Sequence, residues 1–199
     1  AGNSNTGTPR NFQDAGGGST NVSGQISGAN NLAGDNDNVE FADFGSSLDL
    51  GQVFTLEAWV KRDTTGGAGI LAKRLGSSYG IKLSFETDND LRLDISDGSN
   101  FESVQGDNIA DTSWHYIGAR SNGSTLQVFN NGNFHANSTV KTVTVGYDTQ
   151  ALVAGAAVWA SALTDYLDGS VDEVRASNVA RSDDWIAAQY LSMINTFTS

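Results

Sequence analysis

The sequence predicts an all-β protein: a two-sheet, antiparallel jelly-roll β-sandwich with one short C-terminal helix. Three observations carry this. Beyond residue 24, apolar and polar residues alternate with a period of two, the spacing of strands that bury one face. Asn-Gly and Asp-Gly pairs separate the alternating runs, and these are the strongest short hairpin signals. Helical spacing stands out once, near the end of the chain.

Taken in order, residues 1–24 read as an irregular, linker-like segment and residues 25–199 as the jelly-roll domain. The first segment holds the single proline, Pro9, and the tract 16–20 (GGGST). It carries too little apolar surface to offset the entropy of ordering it. A short edge strand is expected near Asn11 and Phe12. In 54–61, Phe54, Leu56, Ala58 and Val60 share one face. Thr55, Glu57, Trp59 and Lys61 share the other, which is expected to be wet. Tyr79, Ile81, Leu83 and Phe85 form the next apolar row, and Leu91, Leu93 and Ile95 the one after it. Asn122-Gly123 and Asn131-Gly132 place three consecutive strands in a meander. Residues 87–90 and Asp97-Gly98 read as further turns. Ser182 is placed to cap the final helix, and Asp183 and Asp184 fall in its first turn, where the dipole favours them. Ile186, Tyr190 and Met193 then recur at i, i+4 and i+7 as its buried stripe.

Composition narrows the function. The 199 residues carry 11 Lys+Arg against 23 Asp+Glu, a net charge of −12. Such a balance repels polyanions, so nucleic acid and anionic membrane surfaces are not expected partners. No apolar run is long enough to insert in a membrane. The chain has no cysteine, which removes disulfides, zinc-thiolate sites and thiol catalysis. Abundant Gly, Asn, Asp, Ser and Thr suit a secreted or cell-surface (extracellular) protein. The start at Ala1, without Met, suggests a processed protein or an excised domain.

Four segments, in order, carry a family resemblance. They are 28–41 (GANNLAGDNDNVEF); 54–61 (FTLEAWVK); 114–119 (WHYIGA) running into 123–132 (GSTLQVFNNG); and 167–175 (LDGSVDEVR) followed by 184–190 (DWIAAQY). Together they span roughly residues 25–195. The chain resembles the bacterial laminin-G-like, pentraxin-related domains of the concanavalin-A-like lectin/glucanase superfamily. Leu32-Ala33 and Asn38 depart from that pattern, as does the apolar stretch 156–161. The resemblance implies a concanavalin-A-like jelly roll, one module of a larger secreted or surface protein. Members bind glycans, bind proteins or space other domains, since fold does not fix function.

The resemblance also implies a structural Ca²⁺, with Asp172 matching a position that often supplies a ligand. Asp35 and Asp37, on a Gly-flanked turn, are the candidate further ligands, because Ca²⁺ collects six to eight hard oxygens. For carbohydrate the candidates are aromatics that no strand pattern accounts for: Trp159, with Tyr147 and Tyr166 flanking its region. Trp59, Trp114 and Trp185 match positions that look structural. No catalytic residue is assigned. The string 86–90 (ETDND) departs from the glucanase acid pattern and reads as a turn, and no Gly-x-Ser-x-Gly elbow occurs. His115 falls in the family's Trp-His pattern. The expected function is a non-catalytic carbohydrate-binding or adhesion module. Its partners would be a polysaccharide or cell-surface glycan and the neighbouring domains of a parent protein. The alternatives are a structural or protein-binding spacer and, more remotely, a polysaccharide-degrading glycosidase or lyase.

Overall fold

The structure, a computed structural model, describes residues 7–12, 18–43, 47–75, 79–159 and 162–194. The side chains of 19–21, 74, 75, 79 and 159 lie outside that description. Four short strands come first: β1 (Gly7–Arg10), β2 (Ser19–Ser23), β3 (Gly28–Ala33) and β4 (Asn38–Phe41). The body of the fold follows in β5 (Val53–Arg62), β6 (Ala68–Leu75), β7 (Tyr79–Phe85), β8 (Asp90–Asp97), β9 (Phe101–Asn108), β10 (Trp114–Asn122) and β11 (Thr125–Asn130). It ends with β12 (Asn133–Phe134), β13 (Thr139–Val140), β14 (Leu152–Ala154), β15 (Ala157–Trp159), β16 (Ala162–Thr164), β17 (Asp168–Ser177) and the helix α1 (Asp183–Met193).

Two large antiparallel sheets face each other. One runs β1-β4-β14-β6-β7-β8-β9, the other β12-β11-β10-β5-β17-β3-β2, with β13 added beside β11. Strands β15 and β16 form a separate hairpin. This is the jelly-roll sandwich that the alternation implied. Its main core joins Phe54, Leu56 and Val60 of one sheet to Ile81, Leu83, Leu93 and Ile95 of the other.

The turn chemistry explains the connections. Asn131 and Gly132 both hold positive φ, as a tight hairpin requires. At the other Asn-Gly pair only Gly123 does; Asn122 ends β10, and its side-chain oxygen accepts the N–H groups of Ser124 and Thr125. Asp97 caps the β8–β9 turn by accepting from Ser99 and Asn100. The 86–90 stretch is the β7–β8 turn, with Asn89 at positive φ.

Two expectations are corrected. The 1–24 segment holds two strands, β1 pairing with β4 and β2 with β3. Their strand status rests on backbone hydrogen bonds to sheet edges, so it needs no apolar alternation. Asn11 and Phe12 follow β1 as a bend, with Asn11 at positive φ and Phe12 packed against the core. The second correction concerns the polar face of β5. Thr55, Glu57 and Trp59 are all buried. Helix α1 lies over that face and closes a second cluster of Trp59, Tyr116, Phe129, Ile186 and Met193. Ser182 accepts the Trp185 N–H at its start, as the sequence implied.

Candidate functional site

The outer face of the seven-stranded sheet is built by the polar half of each alternation. Cross-strand register aligns Lys82 with Asp94 and Ser103, Ser84 with Arg92 and Gln105, and Gly80 with Ser96 and Phe101. Lys82 Nζ lies 3.2 Å from Asp94 and 3.5 Å from Glu86. Arg92 Nε donates to Asp94 at 2.7 Å, and its terminal nitrogen donates to Ser103 Oγ at 2.9 Å. Ser103 in turn donates to Asp94 at 2.6 Å, and Ser84 donates to Glu86 at 3.0 Å. Burial would push the Asp94 carboxyl up, but the Ser103 hydrogen bond and the charges of Lys82 and Arg92 outweigh it and hold it below the ordinary carboxylate range. These partners fix each rotamer, so the face is a rigid polar floor.

Two features border the floor. On the edge strand β9, Phe101 is 49% exposed, an aromatic ring presented to solvent. Across the sheet, the β15–β16 hairpin lies against β6 and β7. Its approach depends on Gly69, where a Cβ would meet the Ala157 nitrogen at 2.0 Å. Gly69 N–H donates to the Asp165 carbonyl at 2.7 Å and fastens the hairpin there.

Of the three aromatics singled out from sequence, Tyr147 and Tyr166 have described side chains. The Trp159 backbone lies in β15, beside this face, but its indole is outside the described residues. Tyr147 packs on the main core, and its hydroxyl donates to the Gly51 carbonyl at 2.8 Å. Tyr166 is half-buried in the β16–β17 connection; burial and the nearby charge of Asp35 push its hydroxyl up. Phe101, which sequence reasoning missed, was signalled by its register: Phe101, Ser103 and Gln105 alternate with Val104 on β9.

A family model of the concanavalin A-like lectin/glucanases superfamily matches residues 33–187. The chain belongs to that superfamily. No curated protein matches it significantly. Among solved structures, the chain is similar to domain 4 of AbnA, a GH43 extracellular arabinanase from Geobacillus stearothermophilus, in complex with arabinotriose. The TM-score is 0.71 at 18% identity, covering 92% of this chain and 86% of that one. It is similar to the binding domain of botulinum neurotoxin serotype C1, with a TM-score of 0.72 at 10% identity over 94% of this chain and 47% of that one. It is also similar to the CBM40 of a Ruminococcus gnavus sialidase bound to α2,3 sialyllactose, at 0.60 and 12% over 72% and 86%. The chain spans 45% of the length of the binding domain of Paraclostridial Mosquitocidal Protein 1. At these identities the likeness is one of fold.

Superfamily membership makes the acids worth placing. Asp172 is buried, and its two oxygens accept the N–H groups of Ile26 and Glu173, each at 2.8 Å. It thereby holds the turn between β2 and β3, and burial raises its carboxyl despite those bonds. Each of its oxygens thus accepts one backbone N–H. Asp35 is exposed and accepts from Asn36. Asp37 is fully buried and accepts the Ala33 N–H at 2.9 Å. Among the described residues no three acidic or histidine side chains converge as a metal site. The 36–38 turn carries further oxygens beside Asp37. The side-chain oxygens of Asn36 and Asn38, on either side of Asp37, are buried without a hydrogen-bond partner. His115 is held by Asn130 and Asn131 at Nδ1 and by Asp111 at Nε2.

Proposed function

We propose that the protein is a non-catalytic, extracellular carbohydrate-binding module that holds a polysaccharide or cell-surface glycan on the outer face of its seven-stranded sheet. The observation that carries this is Phe101, 49% exposed at the rim of a hydrogen-bonded polar floor. A sugar presents a C–H face and a hydroxyl edge. The C–H face stacks on an aromatic ring, and the hydroxyls bond to fixed charged and hydroxyl groups such as Arg92, Asp94 and Ser103. The relatives in fold named for arabinotriose and sialyllactose support a glycan ligand. The pairing of Glu86 with Lys82 and Arg92 supports a binding role over an acid catalyst. The test is retention on a panel of plant, algal and animal polysaccharides, with released sugar assayed afterwards. We expect retention without release, and a loss of about tenfold in affinity for Phe101→Ala, the scale of removing one aromatic anchor.

One observation favours a second reading. The floor's charged groups already satisfy one another, as in a rigid spacer between domains of a surface protein. No retention on any glycan would leave that reading. A structural Ca²⁺ is part of the proposal, at the 36–38 turn, where Asp37 would hold it with the neighbouring Asn oxygens. Bound there, it would supply charge neutralisation and stiffness to the start of β4.

A further inference from the structure

A second groove, of about 500 Å³, opens where β17 loses its neighbour. Strand β3 pairs with β17 only as far as Val171. The register then shifts through a bulge at 172–175, with Glu173 at positive φ. From Val174 onward β17 has β5 on one side and, among the described residues, no strand on the other. Helix α1 flanks the opening. The polar wall is Glu57, Arg175, Ser177, Arg181, Trp185 and Gln189.

The two arginines differ. Arg175 is bound on both sides, to Glu173 and to Gln189 Oε1, the latter at 2.9 Å. The Arg181 guanidinium carbon lies over the indole of Trp185, 4.4 Å from the ring centre. Its backbone is anchored by Thr55 and by Arg120, at 3.0 and 2.7 Å. Among the described residues no carboxylate pairs with its guanidinium, and its Nε is buried without a hydrogen-bond partner. Ser177 Oγ, on the same wall, is likewise buried and unpartnered. Buried donors are normally satisfied. Burial pushes the Glu57 carboxyl up, against the opposing charges of Arg175 and Arg181. In a chain of net charge −12, this wall brings two guanidinium groups together. Its lining also includes the apolar Phe41 and Leu152.

We propose that this groove is a second binding site, which takes the carboxylate of an acidic sugar on Arg181 and Ser177 and packs the sugar's C–H face against Phe41 and Leu152. A guanidinium edge matches a planar carboxylate with two parallel hydrogen bonds. The apolar side chains select a ring that carries the anion over a fully hydrated ion. The proposal rests on the carbohydrate-binding reading, but it uses a different surface.

The test is titration of the ¹⁵N-labelled protein with trigalacturonate, its methyl ester and sodium acetate, following the Trp185 indole and Arg181 Nε–H signals. Trigalacturonate should shift both saturably. The ester should bind about tenfold more weakly or worse, since it forfeits the charge-assisted pair. Arg181→Gln should lose the response and Arg181→Lys should retain part of it, both with a melting temperature near that of the parent. Silence at Trp185 with trigalacturonate overturns the proposal. So does an equal response to the ester, an unaltered response in Arg181→Gln, or acetate binding as tightly as the trimer. If Trp185 stays silent while a glycan still binds at Phe101, the groove proposal alone fails. If neither surface responds to any glycan, both readings fail.

Discussion

Glu57 is a carboxylate 2% exposed on a face that its strand's alternation marks as wet. Desolvation raises its pKa; a hydrogen bond from the Tyr116 hydroxyl and the charges of Arg175 and Arg181 oppose that without overcoming it. A carboxyl whose pKa is higher folded than unfolded contributes stability that is fully present below its unfolded pKa. That contribution is lost as pH rises through the folded value. Glu57→Gln removes this titration while keeping an acceptor for Tyr116. We expect the variant to melt at or above the parent at pH 7, with the difference shrinking as the pH falls toward 4. A variant less stable at pH 7 would mean that the arginines hold the ionised form. The wrong expectation for this face has a local cause. Alternation reports that Glu57 and Trp59 point away from the main core, and it does so correctly. It carries no information on whether a distant helix returns to cover them. Phe101 is the converse: its direction is legible, but its exposure depends on β9 being an edge.

Elements were legible in proportion to how much of their stabilisation is local. Helix α1 announces itself through Ser182, the two first-turn aspartates and the Ile186–Tyr190–Met193 spacing. The β10–β11–β12 meander is written in its Asn-Gly pairs. The β15–β16 hairpin is not legible: each strand has three residues, too few to show a period, and its apolar side chains answer to the sheet beneath. What positions it is the glycine below. In Gly69→Ala the new Cβ would fall 2.0 Å from the Ala157 nitrogen and 2.1 Å from the Ala156 carbonyl carbon. Backbone atoms cannot yield as a flexible side chain can. We expect destabilisation of about 1–3 kcal/mol, typical of overpacking. Faster amide exchange should concentrate in 157–159 and 162–164, with glycan retention reduced though no floor residue has changed. A uniform change in exchange across the whole sandwich would argue that the hairpin is an integral part of the core.

At the scale of the whole molecule, the acidic balance and the two sheets were both readable from composition and period. The closure of each sheet's outer edge by the first 24 residues was not, because edge strands draw on backbone hydrogen bonds that no side chain reports. The proposed ion at the 36–38 turn belongs to this scale, since that turn links β3 of one sheet to β4 of the other. An ion that binds only the folded chain stabilises it by mass action. EDTA should therefore lower the melting temperature, by an amount equivalent to about 2–4 kcal/mol at saturating ion, and added Ca²⁺ should restore it. Asp37→Asn should abolish the response, whereas Asp172→Asn should leave it. An EDTA-insensitive melt, with no metal by elemental analysis, would remove the ion.

The chain's entire sulfur content is a single atom, Met193 Sδ, and the Trp59 indole N–H points at it from 3.1 Å under the end of α1. That thioether is 7% exposed in its residue and flanked by the stacked ring of Tyr190 on Trp59. Peroxide reaches it far more readily when the helix lifts. Sulfoxide formation therefore acts as a clock for undocking, with one reactive centre and no competing thiol. The first opening that admits the oxidant leaves a 16-dalton mark at that one position, so the oxidised fraction in a mass spectrum of aged protein would report the share of molecules whose helix had lifted at least once.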